Sequence, residues 1–337
     1  MTFLAFVADE RNNEVDIIDT GIVNMPKLID ITHSPAVEVL DILLKDRTTG
    51  KNIIWATDAY EEYGEGFLDK NQIYQKMLIG QRALIIRPRI EKTLEEQQLR
   101  TRKKAEVFTP AWLCNQMNNF CDQEWFGRKN VFNTEDEVSH TWTANENKIE
   151  FSEEKTWEEY INSTRLEITC GEAPFLVSRY DTSTGLLIEP TINRIGLLDR
   201  KLRVVDENTR TEEEWKEWVK KSYQNIYGYE YQGDNLLIAR VNLFLSLYDY
   251  YGEKFDGQIP YEYAKEIATI ISWNLWQMDG LQDTVPLGVP FRQNEQLALD
   301  LFGDDENQEK EEPMLCIIKD WKKGKKGKNI TFKALKG

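Results

Sequence analysis

Apolar residues recur along the chain at two spacings, and the spacing changes from one stretch to the next. From residue 1 to about 55, short apolar runs (FLAFVA, VDIIDTGIV, VEVLDILL, NIIWAT) are separated by polar breaks. That pattern predicts strands and a short helix in a small α/β unit. DRTTGKN at 46–52 has the composition of a β-turn leading into NIIWA. Residues 57–84, with Gly64, Gly66 and Gly80, read as loop plus one helix, and ALIIRPRI at 83–90 reads as a strand. The charged stretch EKTLEEQQLRTRKKAE at 91–106 predicts a helix joining two halves of the chain.

The second half shows longer helical periods. AWLCNQMNNFCDQEWF spaces Trp112, Leu113, Met117 and Phe120 as an amphipathic helix does. Thr109 has the side chain of an N-cap there, and Pro110 suits the first helical position. Residues 130–156 are polar and irregular, an insertion by composition. TWEEYINSTR (156–165) predicts a short helix, and RLEITC (165–170) a strand ending at Gly171. RTEEEWKEWVKKSYQ (210–224) is a charge-rich helix, NIYGYEY (225–231) a strand, and NLLIARVNLFLSLYDYY (235–251) the most apolar helix, hence core. EYAKEIATIIS (262–272) adds a helix, and NLWQMDGL (274–281) a short strand running into a turn. The implied organisation is an N-terminal α/β unit over 1–95, a core over 96–300 and a C-terminal tail over 301–337.

Composition narrows the classes. The 337 residues are 41% hydrophobic, 11% aromatic and 30% charged. Such a chain is too aromatic for disorder, and it lacks the long apolar run of a membrane span. The first residues turn acidic at Asp9, unlike a secretory signal. The expectation is a soluble, cytoplasmic protein with no membrane partner. Cys114, Cys121, Cys170 and Cys316 are too scattered for a disulfide framework and read as small buried side chains. With only His33 and His140 there is no zinc-ligand spacing, and histidine-based hydrolase triads are disfavoured.

A net charge of −16 argues against a protein that simply coats nucleic acid. The charge is uneven, however. Asp304 to Glu312 carries six acids and one lysine, whereas Lys319 to Lys336 carries eight lysines and one acid, Asp320. The segment WKKGKKGK reads as a solvated, frayed terminus, with phosphate contact as the alternative.

From residue 165 the order is strand, Gly-containing turn, helix, strand ending in an acid, helix, strand ending in an acid. That is the layout of a nucleoside-binding doubly wound sheet. A glycine lets backbone approach the ligand. The acid after the second strand accepts from ribose hydroxyls, and the one after the third accepts from a base amine. The candidates are Cys170–Gly171–Glu172, Glu230 and Asp279. CGEAPF has one glycine where the dinucleotide pattern GxGxxG needs three, which disfavours an NAD-dependent oxidoreductase.

These residues also resemble a family. Lys104–Ala105–Glu106–Val107–Phe108–Thr109–Pro110 is similar to the "FTP" motif that opens the catalytic domain of gamma-order N6-adenine DNA methyltransferases. Leu166 to Leu176 (LEITCGEAPFL) resembles their first S-adenosylmethionine motif, "LEPxCGxGxFL". Gly228–Tyr229–Glu230 running into Asn235–Leu243 resembles the second, and Asn274–Leu281 the third. The subgroup it most resembles is the modification subunit of restriction–modification systems, in which segments such as LLKDRTTGKNIIWATD recur upstream.

The resemblance implies a Rossmann-like, S-adenosyl-L-methionine-dependent methyltransferase fold acting on double-stranded DNA. Phe108, Thr109 and Pro110 would line the methionine end of the cofactor. Glu167, Cys170, Gly171 and Glu172 would surround its amino-acid moiety. Glu230 would accept from the ribose, Asp279 would meet the adenine amine, and Leu281 would lie against the ring. No metal is implied. The chain departs from the family at the target-base motif, an Asn/Asp/Ser-Pro-Pro-aromatic sequence, because it contains no Pro-Pro. Gly288–Val289–Pro290–Phe291 lacks the polar acceptor and one proline, so no catalytic residue is carried over. Placing a flipped base would then fall to a second methyltransferase or specificity/restriction subunit. A degenerate scaffold of a defence complex is the competing expectation.

Overall fold

The computed structural model describes residues 27–80, 85–104, 109–289, 312–324 and 326–335. The expected strands FLAFVA and VDIIDTGIV lie outside these residues, as does Phe108. In chain order, α1 (Ala36–Leu43) is followed by α2 (Leu94–Lys104) and α3 (Ala111–Phe126). A hairpin of β1 (Asn133–Asp136) and β2 (Thr141–Ala144) leads to α4 (Trp157–Asn162) and β3 (Arg165–Glu167). Then come α5 (Leu197–Asn208), α6 (Glu212–Gln224), β4 (Ile226–Glu230), α7 (Gly233–Lys254), α8 (Tyr261–Asn274) and β5 (Leu275–Gln277). A second hairpin, β6 (Ile317–Asp320) and β7 (Lys328–Thr331), completes the described chain.

The chain is mixed α/β. Its central sheet is parallel, in the order β3-β4-β5, with Glu167 opposite Gly228 and Glu230 opposite Gln277. Helices α5 and α6 make the first crossover and α7 and α8 the second, as parallel strands require. Among the described residues no strand pairs with the outer side of β3. Helix α7 is apolar nearly all round and buries residues on every side, so it runs through the interior. Helix α6 is amphipathic and turns Trp215, Val219 and Tyr223 inward. The other face of the sheet is covered by the β6–β7 hairpin. Tyr229, Trp276 and Met278 of the sheet side meet Cys316, Ile318 and Phe332 there in an apolar cluster of their own.

The segment before residue 95 is joined to this core. One hydrophobic cluster runs from Leu28 to Leu275 and includes α1, Ile53, Trp55 and the inner sides of α7 and α8. NIIWAT forms only isolated bridges and does not enter the ladder as a strand. Instead the Gln277 side chain substitutes for a peptide group: Ile54 N donates to its Oε1 at 2.9 Å, and its Nε2 donates to Ile54 O at 2.8 Å. The Arg240 guanidinium reaches both parts, donating to Lys45 O at 3.0 Å and, through Nε, to Leu275 O at 2.9 Å.

Four local expectations are corrected. Residues 57–80 form three single turns of 3₁₀ helix rather than an α-helix. Residues 85–90 form no strand. The insertion at 130–156 contains the β1–β2 hairpin, held by Asn115 and Asn119 of α3, whose Nδ2 groups donate to Asn133 Oδ1 at 3.0 and 2.8 Å. Among the described residues the lysine-rich tail is not frayed. It is the loop and second strand of a hairpin docked on the sheet.

Candidate functional site

The backbone turns sharply after β3. Thr169, Gly171 and Ala173 all take positive φ, at 46°, 54° and 64°. Two of these are not glycine, and left-handed conformations cost such residues about 1–2 kcal/mol each. Strain of this kind persists only where surroundings enforce it. Here Cys170 N is tied to Tyr229 O at 2.8 Å and Ala173 N to Cys170 O at 2.7 Å. The turn thereby presents the Gly171 amide to the Glu230 carboxylate, with N to Oε2 at 2.9 Å. Glu230 Oε1 accepts from Gln232 N at 3.1 Å. A carboxylate has about four acceptor sites, and these two amides each take one of them.

Glu167, the last residue of β3, stands beside this pair. Its Oε1 lies 3.5 Å from Phe175 N, and its buried Oε2 has no hydrogen-bond partner among the described residues. Burial raises the Glu167 carboxyl well above its ordinary range. The Phe175 and Leu176 amides oppose this, and the nearby Glu230 carboxylate adds to it. A buried, orphaned acceptor next to a second carboxyl suits a cationic amine, which would satisfy the oxygen and draw off the proton.

The start of α3 closes one side. Cys114 is buried, and its thiol is pushed up first by burial and then by the Glu167 and Asp181 carboxylates. Its Sγ lies 3.6 Å from Thr109 O, which also accepts from Thr182 Oγ1 at 3.1 Å. The helix cap differs from expectation by one residue. Pro110 is the N-cap, and the Ala111 amide is met by Asp181 Oδ2 at 3.1 Å rather than by Thr109.

The remaining candidates sit differently. The Cys170 thiol faces β4, where a Cβ on Gly228 would come within 3.3 Å of it. Glu172 turns away from Gly171, accepting from Arg89 N at 2.6 Å and Tyr180 OH at 2.6 Å. Asp279 follows the point where β4 and β5 part, marked by Met278 N to Glu230 O at 3.0 Å. Its Oδ1 caps a turn through Leu281 N at 2.9 Å and Gln282 N at 3.2 Å. Leu281 is 93% exposed and forms no wall. The geometry therefore joins Glu167, Gly171 and Glu230, sets Thr109 against Cys114 of α3, leaves Asp279 in its own turn after β5, and gives Glu172 and Cys170 to the scaffold. Sequence reasoning missed Asp181, which positions α3. Its signal is the Asx-turn string DTSTG, in which Asp181 Oδ1 accepts from Ser183 N at 2.7 Å.

Beyond Glu167 a groove of about 400 Å³ runs along β3 and the facing side of α3, lined by Met117, Phe120, Leu166, Ile168 and Phe175 among others. Ile168 is 63% exposed and Phe120 62%. Among the described residues His33 bonds Asp30 and Thr32, and His140 stacks on Trp112. Among the described residues no group of His, Cys, Asp and Glu has the arrangement of a metal site. Nor, among them, is any helix long and apolar enough to cross a membrane. What the site offers is acceptors: two carboxyl groups and backbone carbonyls around a strained turn at the carboxyl ends of parallel strands. Comparison with models of protein families, with curated proteins and with solved structures finds no match in any of the three.

Proposed function

We propose that the chain is the S-adenosyl-L-methionine-binding subunit of an adenine-specific DNA methyltransferase in a restriction–modification system. On this reading the β3-β4-β5 sheet is one half of a Rossmann-like methyltransferase sheet, and a partner chain supplies the target-base motif. The observation that carries the proposal is the convergence of the Gly171 amide, the Glu230 carboxylate and the orphaned Glu167 oxygen where β3 and β4 end. Ligands of open α/β sheets collect at such strand ends. The ribose hydroxyls would donate to Glu230 and the methionine ammonium to Glu167. The Thr109–Pro110 segment would flank the methionine end, with Asp279 at the rim toward adenine. S-adenosylmethionine supplies an electrophilic methyl group. The chain's residues orient it and leave the amine nucleophile to be positioned from elsewhere.

The open edge of β3 favours completion by a partner. A doubly wound sheet extends to both sides of its first strand, and here β3 is paired on one side only among the described residues. The apolar groove along β3 and α3 is the surface such a partner would cover. The same edge also suits the second reading, a methyltransferase-like scaffold that binds cofactor without transferring a methyl group.

Isothermal titration of the full chain with S-adenosylmethionine tests the proposal. Saturable one-to-one binding is expected, abolished in Glu230→Ala and weakened in Glu167→Gln. Absence of binding, or binding indifferent to Glu230→Ala and Asp279→Ala alike, would overturn it. Transfer of a tritiated methyl group to adenine-containing duplex DNA, with and without the product of the neighbouring reading frame, separates enzyme from scaffold.

A further inference from the structure

The lysine-rich segment lies at the opposite end of the sheet from the proposed cofactor site. The β6–β7 hairpin pairs Asp320 with Lys328, so the described residues 321–324, 326 and 327 belong to its loop. Three contacts fix where that loop points. Lys322 Nζ reaches Thr164 Oγ1 at 3.2 Å, just before β3. Trp321 Nε1 donates to Asn274 Oδ1 at 2.7 Å, just before β5. Tyr227 OH, at the start of β4, donates to Lys319 O at 2.9 Å. The loop thus caps the amino ends of all three strands. Gly171 and Glu230 stand at their carboxyl ends, one strand length or roughly 15 Å away.

Positive charge is gathered here against its own repulsion. Lys322, Lys323, Lys326 and Lys328 are exposed. Lys319 lies 4.5 Å from the Trp273 ring centre and 5.0 Å from that of Trp321, and Arg47 approaches Trp273 from another part of the chain at 5.7 Å. Burial lowers the Lys319 ammonium, and Arg47 lowers it further. The buried Lys201 ammonium, lowered first by desolvation, also feels Arg165 and Lys322. Asp320 offsets part of this through Lys323 at 3.2 Å. In a chain of net charge −16, folding has placed a cluster of cations at one pole. Like charges held together in this way lower stability unless a polyanion neutralises them.

We infer that Lys322, Lys323, Lys326 and Lys328 at this loop form a contact surface for the phosphate backbone of a nucleic acid, separate from the proposed methyl-transfer site. The charges are lysines spaced by Gly324 and Gly327, both at positive φ, which keeps the loop slim and its ammonium groups reachable. Lysine is depleted at protein–protein interfaces, and a membrane-inserting loop would carry apolar residues at its tip. The tip sequence KKGKKGK has none. Lysines acting as point charges on phosphates give affinity without sequence preference.

The inference does not depend on cofactor binding, so its test is read separately. Fluorescence anisotropy with a labelled 20-base-pair duplex DNA is measured on the full chain at increasing sodium chloride. Log affinity should fall with log salt at a slope of about −3 to −4, for about four phosphates neutralised. The variant Lys322→Gln/Lys323→Gln/Lys326→Gln/Lys328→Gln should lose at least about ten-fold in affinity and flatten that slope by about 3. A control, Lys216→Gln/Lys220→Gln/Lys221→Gln on α6, should leave both unchanged. Equal binding by the loop variant, an equal loss in the α6 control, or no DNA binding by the wild-type chain would each overturn the inference. So would stronger loop-dependent binding to a polyglutamate peptide or to phosphatidylserine vesicles than to DNA. Unchanged S-adenosylmethionine titration in the loop variant shows that any loss is local to the loop.

Discussion

Glu167 concentrates the chemistry of the candidate site in one side chain. Its carboxyl is buried, one oxygen has no partner among the described residues, and burial together with Glu230 holds it well above the ordinary range. A carboxyl raised in the folded state binds its proton where the unfolded chain has already lost it. Stability is then full below the unfolded value of about 4.3 and falls as pH rises toward the folded value. Glu167→Gln keeps the size and removes the titration. The variant should match the wild type near pH 4 and exceed it at pH 8 by about 1 kcal/mol or more, since each unit of displacement is worth about 1.4 kcal/mol. Urea denaturation midpoints at the two pH values check this. A wild type equally stable at both, with no gain in the variant, would mean that Glu167 ionises without cost. The same substitution should weaken a cationic ligand, so stability gained and affinity lost should appear together.

At the scale of elements, Asp234 at the start of α7 ties three parts of the chain together. It is fully buried and meets Arg100 of α2 at 2.8 Å, Lys92 at 3.3 Å and Tyr60 OH at 2.7 Å. Burial alone would raise its carboxyl, but Arg100 and Lys92 overcome this and hold it far below the usual range. Asp234→Asn would remove the carboxylate that two buried cations share. A loss of about 3–5 kcal/mol is expected in chemical denaturation. A loss under about 1 kcal/mol would show that water reaches the cations. Helices α3, α6, α7 and α8 could be read in the sequence from their apolar spacing, and α2 and α4 from their charged and polar helix-forming stretches. Helix α5 escaped because Arg200, Lys201 and Arg203 interrupt its apolar pattern while being buried themselves. Arg200 is neutralised by Asp122, and Lys201 donates to the carbonyls of Tyr160, Ile161 and Ser163. Those partners come from 38 to 78 residues away, where local periodicity carries no signal. The hairpin at the C-terminal end was hidden likewise, since Ile318, Ile330 and Phe332 stand among lysines and only the sheet face shows why they matter. In the candidate site, Gly171 and Glu230 were legible as turn glycine and strand-end acid. The inward role of Glu172 was not, because Arg89 and Tyr180 reach it only in the fold.

At the scale of the whole molecule, the sequence suggests a boundary near residue 95, yet interactions that cross it are buried and mutually dependent. Gly233 begins α7 with its N–H on Trp55 O at 3.0 Å, and a Cβ there would lie 2.0 Å from Ile54 O. Arg240, fully buried in mid-helix, donates to the carbonyls of Leu43 and Lys45 before the boundary and of Ser272 and Leu275 after it. Removing residues 1–95 would strip a guanidinium of part of its acceptors inside the protein and would expose the α7–α8 face that α1 covers. Each unsatisfied buried donor costs about 1–3 kcal/mol, more when charged, against a typical domain stability of about 5–15 kcal/mol. The lost apolar burial of Val39, Leu40, Leu43, Ile53 and Trp55 adds to this at about 1.5–3 kcal/mol per large side chain. The sum exceeds what a domain holds in reserve. A chain starting at residue 96 should therefore lack a cooperative thermal transition by circular dichroism. The full chain should unfold in one calorimetric transition whose measured enthalpy equals its van't Hoff enthalpy. Two separated transitions, or a truncated chain that melts cooperatively, would mean that the shared core is an interface between two units that fold alone. The open edge of β3 would then be the second such interface rather than the first.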